Sequence, residues 1–237
     1  MQLFYQKIKA KVGDRFLMEA EEARHLIKVL RKKIGDQVMV SNGEGDLFTC
    51  QITNDHPKKC NLEVQQVETF SKVRNYYLHL LIAPTKTNDR FEFFLEKATE
   101  IGIDEITPIL CEHSERKKIK AERYQKILLS AMKQSLQFHL PKLNEFRPFA
   151  EAVQRTKSDS KFIAHCEEEA KSYLFSSLAQ KPEQKIVILI GPEGDFSKEE
   201  IQLAKQHDFK AVSLGKTRLR TETAGIFAVQ QVATKFE

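Results

Sequence analysis

The sequence lacks the features that mark membrane and secreted proteins. No apolar run within its 237 residues approaches the ~20 residues that a membrane-spanning helix needs. Met1–Tyr5 is followed by a lysine-rich stretch with no hydrophobic segment and no small-residue cleavage site, so we expect no secretory signal. Four cysteines lie far apart and form no C-x-x-C pair for zinc or redox chemistry: Cys50, Cys60, Cys111 and Cys166. We therefore expect a cytoplasmic protein with reduced, half-buried cysteines.

Several common active-site motifs are also missing. The chain contains no G-x-x-x-x-G-K-[ST] loop and no G-x-G-x-x-G turn after a strand, which leaves a nucleoside-triphosphate or ordinary Rossmann site without support. No G-x-S-x-G nucleophile elbow is present either. The seven histidines do not cluster at metal-ligand spacing, so we expect no metal site. His79 and His165 lie in predicted strands, where we expect them to be packed.

What is present is a globular composition with a modest surplus of positive charge. Hydrophobic residues make up 41% and charged residues 30%, which excludes wholesale disorder, and the length favours two domains. The 38 Lys and Arg against 33 Asp and Glu give a net charge of +5, which permits a polyanionic partner.

The positive charge is concentrated in two clusters. Arg24–Lys33 contains five cations, together with His25, and no acid; Arg116–Lys126 contains six cations against the single acid Glu122. Either cluster alone is equally consistent with a solvated helix face. Two such clusters in one chain favour contact with a phosphate backbone.

The chain up to about residue 72 is predicted to be a small β-rich domain. Gln37–Ser41 and Leu47–Thr53 alternate apolar and polar residues around the glycine-containing loop 42–45, which predicts a hairpin. Asn61–Glu68 is a third strand. Ahead of the hairpin, Glu19–Leu30 has apolar residues at helical spacing and leaves its cations on the polar side.

After the polar segment Thr69–Asn75, strands and helices alternate, which predicts an α/β domain with a parallel sheet. The five-residue run Ile186–Ile190 is wholly apolar, as expected for a strand buried on both faces. Capping boxes are predicted at Asp89 with Glu92 and at Ser197 with Glu200. The predicted strands are Tyr77–Ala83, Ile106–Cys111, Phe162–His165, Ile186–Ile190 and Ala211–Leu214; the predicted helices are Arg90–Ile101, Ala121–Phe138, Pro148–Arg155, Ala170–Leu178, Ser197–His207 and Ala224–Phe236.

Two loops at the carboxyl ends of predicted strands are candidates for a ligand site. The first, Gly191–Phe196, has two glycines flanking Pro-Glu and is equally consistent with a close approach to a ligand and with a tight turn before a capped helix. The second, Leu214–Ala224, holds three cations, an acid and three threonines. Thr221 or Thr223 would serve as a helix N-cap, but this density of polar groups favours a functional loop.

These loops carry a resemblance to a known family. Ile188–Gly194, followed by Leu214-Gly215 and Leu219–Ala224, resembles the paired signature of the SPOUT superfamily of methyltransferases, and more closely the RsmE family of 16S rRNA (uracil-N3)-methyltransferases. The resemblance covers the whole chain, including the stretch Lys86–Glu115 and an N-terminal part similar to PUA domains. One departure is the segment Met132–Phe138, which lacks the arginine that the family often has there.

The resemblance implies a fold and a set of partners. It implies a PUA-like RNA-binding β-barrel over residues 1–72 and a SPOUT domain over residues 73–237, with a parallel sheet and a C-terminal deep trefoil knot. S-adenosyl-L-methionine (AdoMet) is the implied cofactor, and 16S rRNA within the small ribosomal subunit is the implied substrate. The family is homodimeric, with active sites near the subunit interface.

The resemblance also assigns roles to residues. Arg220 and Glu222 are the candidate catalytic residues. Arg220, or an arginine from the other subunit, would stabilise the uracil anion, and Glu222 would act as a base or, preferably, hold Arg220. The candidate cofactor-binding residues are Leu189, Ile190, Gly191, Pro192, Glu193, Gly194, Leu214, Gly215, Leu219, Thr221, Thr223 and Ala224. The candidate RNA-binding residues are Arg24, His25, Lys28, Arg31, Lys32, Arg116, Lys117 and Gln134.

Two other functions remain open from the sequence. A non-catalytic RNA-binding factor of ribosome assembly would use the barrel and the basic clusters and leave the two loops structural. A SPOUT methyltransferase acting on a ribose 2′-OH of tRNA or rRNA would keep the cofactor and change the target.

Overall fold

A computed structural model describes residues 2–72, 74–179 and 184–236 of the chain. They form two compact units: Met1–Val73 with Leu129–Leu140, and Arg74–Leu128 with Pro141–Glu237. Val73, where the second predicted domain begins, lies outside the described residues.

The first unit is built on a five-stranded mixed sheet. The strand order is β1-β3-β4-β5-β2; β1 pairs with β3 in parallel, and the other pairs are antiparallel. The side chain of Gln6 links the two outer strands, because it donates to the Leu17 carbonyl and accepts from the Glu19 N–H. The strands are β1 (Leu3–Tyr5), β2 (Arg15–Leu17), β3 (Gln37–Ser41), β4 (Asp46–Asn54) and β5 (Asn61–Thr69).

The predicted hairpin between β3 and β4 is confirmed, and its loop is explained by local chemistry. Asn42 Oδ1 accepts hydrogen bonds from the N–H groups of Glu44 and Asp46 at 2.8 and 3.0 Å. Gly43 and Gly45 have φ angles of 72° and 108°, which disfavour residues with a Cβ. The predicted helix Glu19–Leu30 is shorter, with helix α1 (Ala20–Arg24) continuing as a π-helical turn over His25–Val29.

The second unit has an eight-stranded sheet in which every recorded strand pair is parallel, as the alternating sequence pattern predicts. The strand order is β11-β13-β10-β12-β6-β7-β8, and β9 pairs with β7. The strands are β6 (Tyr76–Ile82), β7 (Glu105–Leu110), β8 (Lys142–Leu143), β9 (Arg147–Pro148), β10 (Ser160–Ala164), β11 (Ser172–Tyr173), β12 (Gln184–Ile190) and β13 (Lys210–Ser213).

Helices cover this sheet and complete its core. Helix α7 packs against α2 and against β6. Gly225 permits this approach, because a Cβ there would lie 2.8 Å from both Ile82 and Phe94. The helices of this unit are α2 (Asn88–Ile101), α4 (Phe149–Arg155), α5 (Leu174–Ser177), α6 (Lys198–Gln206) and α7 (Thr221–Phe236), while α3 (Ala121–Gln134) has residues in both units.

Three sequence predictions of local structure are wrong. The capping box at Asp89 does not form: α2 begins after Thr87, with no side-chain cap. Helix α3 ends at Gln134 rather than Phe138, because Leu136 adopts a left-handed conformation with φ 54°. The predicted helix Ala170–Leu178 is replaced by the short strand β11 and the four-residue helix α5.

Within the part of the chain that the structure describes, no helix is both long and apolar enough to cross a membrane. All four cysteines are free, and Cys50, Cys60 and Cys111 are buried while Cys166 is exposed.

Candidate active site

A cavity of about 550 Å³ lies at the carboxyl ends of three neighbouring strands of the second unit, β12, β10 and β13. Parallel strands end at the same edge of a sheet, so this strand order brings together the segments that follow each of the three strands. The cavity is lined by Ala164, His165, Cys166, Lys171, Ile190, Gly191, Pro192, Glu193, Asp195, Val212, Ser213, Leu214, Gly215, Lys216, Thr217, Arg218, Leu219, Arg220, Thr221 and Ala224.

The loop after β12 is a tight turn whose two carboxylates, Glu193 and Asp195, bind backbone N–H groups of other segments. The Asp195 N–H donates to the Pro192 carbonyl at 3.0 Å, and Asp195 adopts a left-handed φ of 65°. Asp195 Oδ2 accepts from the Cys166 N–H at 2.7 Å, which fixes the loop to the segment after β10. Glu193 Oε1 accepts from the Lys86 N–H at 2.9 Å. The loop is therefore held by backbone groups of two separate segments, at Cys166 and at Lys86.

The loop after β13 is tied to the loop after β12. Thr221 Oγ1 donates to the Gly191 carbonyl at 3.0 Å, and Arg218 Nη2 donates to the Glu193 carbonyl at 3.4 Å. Thr221 is the first residue of α7, so the amino end of this helix opens toward the cavity. Four cations line the cavity: Lys171, Lys216, Arg218 and Arg220.

Most of the residues that the resemblance assigns to the cofactor lie on the wall of this cavity. Those on the wall are Ile190, Gly191, Pro192, Glu193, Leu214, Gly215, Leu219, Thr221 and Ala224. Leu189, Gly194 and Thr223 are not among the lining residues: Leu189 is fully buried in β12, and Gly194 and Thr223 are exposed.

The two candidate catalytic residues lie in different surroundings. Arg220 is exposed and lines the cavity just before α7. Glu222 is buried and lies off the cavity wall, and its ion-pair partner is Arg90 of α2, with 3.9 Å between Oε1 and Nε. The sequence favoured Glu222 as the group that holds Arg220; the structure instead places Arg90 beside it.

Sequence reasoning missed the part of the wall that follows β10, namely His165, Cys166 and Lys171. The strand itself was predicted, but the sequence does not show that it lies between β12 and β13. Lys171 Nζ donates to the carbonyls of His165 and Glu167 and so orders this segment. Lys216 and Arg218 were noted as cations of the second loop but were not assigned to the cofactor.

Burial controls the titration of this segment. It lowers the pKa of His165, with Lys171 acting in the same direction, so the imidazole is neutral at pH 7. Burial, with Asp195 nearby, raises the pKa of the Cys166 thiol. This wall of the cavity therefore contributes a neutral imidazole and a protonated thiol.

The cavity wall also holds buried polar atoms that make no hydrogen bond to any residue of the described ranges. These atoms are His165 Nδ1 and Glu193 Oε2. Both atoms are acceptors, because the neutral His165 ring directs its Nε2–H to Glu169, so hydrogen-bond donors would satisfy them. The volume falls within the ~300–1,000 Å³ typical of small-molecule sites.

The candidate RNA-binding residues are divided between the two units. Arg24, Lys28 and Arg31 are exposed, His25 and Lys32 are half-buried, and Gln134 is exposed at the end of α3. All six belong to the first unit.

In the second unit, Lys117 is exposed, whereas Arg116 is half-buried and engaged internally. The guanidinium of Arg116 donates to the carbonyls of Thr85 and Lys86. Arg116 thereby supports the segment that also contacts Glu193, which is a structural role that the sequence did not indicate.

Comparison with known proteins gives consistent matches over both units. An RNA methyltransferase PUA domain model matches residues 19–65, and an RNA methyltransferase domain model matches residues 72–233. The chain is 31% identical to the ribosomal RNA small subunit methyltransferase E of Buchnera aphidicola over 94% of this chain and 89% of that protein.

Solved structures match as well. A probable rRNA-methyltransferase from Porphyromonas gingivalis is 38% identical, with a TM-score of 0.89 over 100% of this chain and 98% of that one. The ribosomal RNA small subunit methyltransferase E of Neisseria gonorrhoeae, in a crystal structure bound to S-adenosyl methionine, is 28% identical, with a TM-score of 0.88 over the same shares of the two chains.

Proposed function

The chain belongs to the RsmE family of RNA methyltransferases, and we propose that it methylates N3 of a uridine in 16S rRNA with AdoMet as the methyl donor. The family membership makes it an AdoMet-dependent rRNA methyltransferase. What we propose beyond family membership is the position of the methyl group, at N3 of the uracil.

The observation that carries the proposal is the cavity formed by the two predicted loops. Its wall includes nine of the residues expected to hold AdoMet, and its volume suits a ligand of that size. Backbone groups of Ile190–Glu193 and Leu214–Gly215 would hold the adenine, ribose and methionine parts. His165 Nδ1 and Glu193 Oε2 are buried acceptors of residues that line this cavity.

AdoMet supplies an electrophilic methyl group on a sulfonium centre. Arg220 and the amino end of α7 provide positive charge at the mouth of the cavity. When N3 gives its proton to water, negative charge spreads onto O2 and O4 of the uracil, and Arg220 stabilises it there. Arg220 is the proposed catalytic residue.

Glu222 is proposed as a positioning residue rather than a base. Its carboxylate is buried at the start of α7 and pairs with Arg90, which joins α7 to α2. A base must reach the proton that it removes, and Glu222 does not line the cavity. The pair fixes the first turn of α7, on which Thr221 and Ala224 face the cavity.

RNA contact is proposed for the basic residues of both units. The exposed Arg24, Lys28 and Arg31, with the half-buried His25 and Lys32, would bind backbone phosphates, and Lys117 and Gln134 would add contacts. Because N3 lies inside a base pair, the target uridine must be unpaired or extruded.

The Arg220→Ala variant tests the proposal. Loss of one group that stabilises developing charge lowers kcat by about 10²–10³. We expect AdoMet binding by calorimetry and the melting temperature to stay near wild type. Lys210→Ala, which removes an exposed cation at the start of β13, is the matched control. Undiminished methylation in the folded Arg220→Ala protein would remove Arg220 from the mechanism.

Reverse transcription of rRNA identifies the target atom. A methyl group on N3 blocks base pairing and stops the polymerase, whereas a 2′-O-methyl group leaves the pairing edge intact. We expect a stop at one uridine of 16S rRNA in the presence of the protein and no stop in its absence. Methyl transfer to rRNA without such a stop would indicate the ribose.

Further features proposed from the resemblance are a homodimer, a cytoplasmic location among ribosomal subunits and a C-terminal trefoil knot. The apolar side chains Phe93, Tyr173, Phe175 and Phe227 on the second unit are exposed and support a subunit interface.

A further inference from the structure

A second cavity, of about 220 Å³, lies near the amino ends of the strands in the second unit. Lys185 is the second residue of β12 and Glu105 is the first residue of β7, and both line this cavity. The AdoMet cavity is at the carboxyl ends of the same sheet. The two cavities share no lining residue.

Cations dominate the lining of this second cavity. Among the described residues, Glu105 is its one carboxylate. Glu151, which lies off the wall, is 3.3 Å from Arg155 and 4.0 Å from Arg147, so two carboxylates face five cations. The cations are Lys142, Arg147, Arg155, Lys157 and Lys185.

The single carboxylate on the wall is already saturated. Glu105 accepts hydrogen bonds from Lys142, Asn144 and Tyr77 at 2.8–3.0 Å. Burial opposes its ionisation, but the charge of His79 and these hydrogen bonds lower its pKa to about 2. Glu105 therefore neutralises one cation and Glu151 a second, so three of the five positive charges have no carboxylate to balance them.

One cation is also short of a partner. The side chain of Arg147 is three-quarters buried, and its Nε atom is buried without a hydrogen-bond partner within the described ranges. A buried guanidinium N–H without an acceptor is unfavourable. The exposed quarter of the Arg147 side chain is the part that an oxygen-rich anion in the cavity would contact.

From this lining we propose that the cavity binds a phosphate group. Two guanidinium groups, Arg147 and Arg155, suit the planar bidentate recognition of phosphate oxygens, and Lys157 and Lys185 add point charges. The volume is below the ~300 Å³ lower limit of typical small-molecule sites, which favours a single group over a whole nucleotide. The phosphate is either free or part of an RNA backbone.

Titration with inorganic phosphate at constant ionic strength tests the site in the full-length protein. We expect saturable shifts of the Asn144 and Lys157 amide resonances in NMR spectra. Arg147→Gln should weaken phosphate binding about tenfold or more, since it removes hydrogen bonds between charged groups. Lys157→Gln, at an exposed position, should weaken it about threefold. Lys210→Gln, which removes an exposed cation outside the cavity, should leave it unchanged.

The absence of saturable shifts in the wild-type protein would overturn the proposal. If both single variants, Lys157→Gln and Arg147→Gln, bind phosphate as tightly as the wild type does, the proposal is also overturned. If Arg147→Gln fails to fold, Lys157→Gln decides the question alone, because its side chain is exposed. AdoMet affinity, measured in parallel, should stay constant in Lys157→Gln, so that this test is separate from that of the methyltransferase activity.

A second arm identifies the source of the phosphate. If it belongs to RNA, Lys157→Gln should weaken binding of a single-stranded RNA and reduce the slope of log K against log salt by about one. If the RNA affinity and its slope are unchanged while phosphate binding is weakened, the site takes a free phosphate anion. Either result supports a phosphate site.

Discussion

Thr221 joins the two loops of the proposed AdoMet site through one side chain. It is 4% exposed, and its hydroxyl donates to the Gly191 carbonyl. Thr221→Val preserves the shape and removes the donor. A neutral hydrogen bond contributes about 1 kcal/mol, so we expect AdoMet affinity to fall about fivefold in calorimetry, with a lower melting temperature.

Thr223 provides the matched control on the same turn of α7. Its side chain is exposed and does not line the cavity, although the resemblance assigns it to the cofactor. We expect Thr223→Val to bind AdoMet as the wild type does. Equal losses in the two variants would mean that the loop, and not the Thr221 hydrogen bond, determines affinity.

His79 links stability to pH in the second unit. Burial lowers its pKa to about 4, and Lys185, Lys142 and Arg147 act in the same direction while Glu105 opposes them. In the unfolded chain His79 titrates near 6.5, so below that pH the unfolded state binds a proton that the folded state does not. The free energy of unfolding should therefore fall as pH drops from about 6.5 to about 4.

The variant His79→Gln should remove much of this fall, which amounts to on the order of 3 kcal/mol in wild type. Urea unfolding at several pH values measures it. His165, whose pKa is also lowered, leaves a residual slope. His56→Gln, at an exposed histidine, is the control and should keep the wild-type profile. A variant His79→Gln with an unchanged profile would contradict the assignment.

At the scale of secondary-structure elements, α6 depends on its capping box. Ser197 Oγ accepts from the Glu200 N–H at 3.3 Å, and Glu200 Oε2 accepts from the Ser197 N–H at 3.0 Å. Ser197→Ala should lower the free energy of unfolding by about 1 kcal/mol, the usual value for a lost N-cap. Ser176→Ala, at an exposed serine of α5, should change it by less than about 0.5 kcal/mol in the same urea titration. Equal effects would refute the cap.

The two predicted capping boxes show where sequence reasoning succeeds and fails. Ser197 and Glu200 need only each other, and that box forms as predicted. Glu92 instead forms two hydrogen bonds to Arg123, at 2.5 and 2.8 Å. A distant partner, 31 residues away, thus takes the carboxylate that the local pattern assigned to a cap.

The same distinction explains which parts of the site were predictable. Each of the two loops is contiguous in sequence, so its glycines and polar residues could be identified there. His165 and Lys171 become part of the wall only because β10 lies between β12 and β13. The pairing of Glu222 with Arg90 depends in the same way on the packing of α7 against α2. Strand order and helix packing are set by tertiary contacts, which a single sequence does not display.

At the scale of the whole molecule, the exposed aromatic side chains of the second unit gather on elements that contact one another. Phe227 is on α7, which packs against α2, where Phe93 lies, and against α5, where Phe175 lies. These three side chains are 43%, 50% and 41% exposed. Exposed aromatic side chains on neighbouring helices suit an interaction surface better than a single isolated one does.

Replacement of Phe227 by Glu tests whether this surface joins two copies of the chain. A charge buried at an apolar interface is strongly unfavourable, so we expect Phe227→Glu to sediment as a monomer where the wild type sediments as a dimer. Its melting temperature at low protein concentration should match the wild-type monomer, because the side chain is already exposed in one chain. Val12→Glu, at a 62% exposed residue of the first unit, should leave the dimer intact. If the wild type is a monomer, this surface is not a dimer interface. If the Phe227→Glu protein still dimerises, the interface lies elsewhere. If the active sites are completed across the interface, methyl transfer should fall together with dimer content, and dilution of the wild type should reproduce that loss.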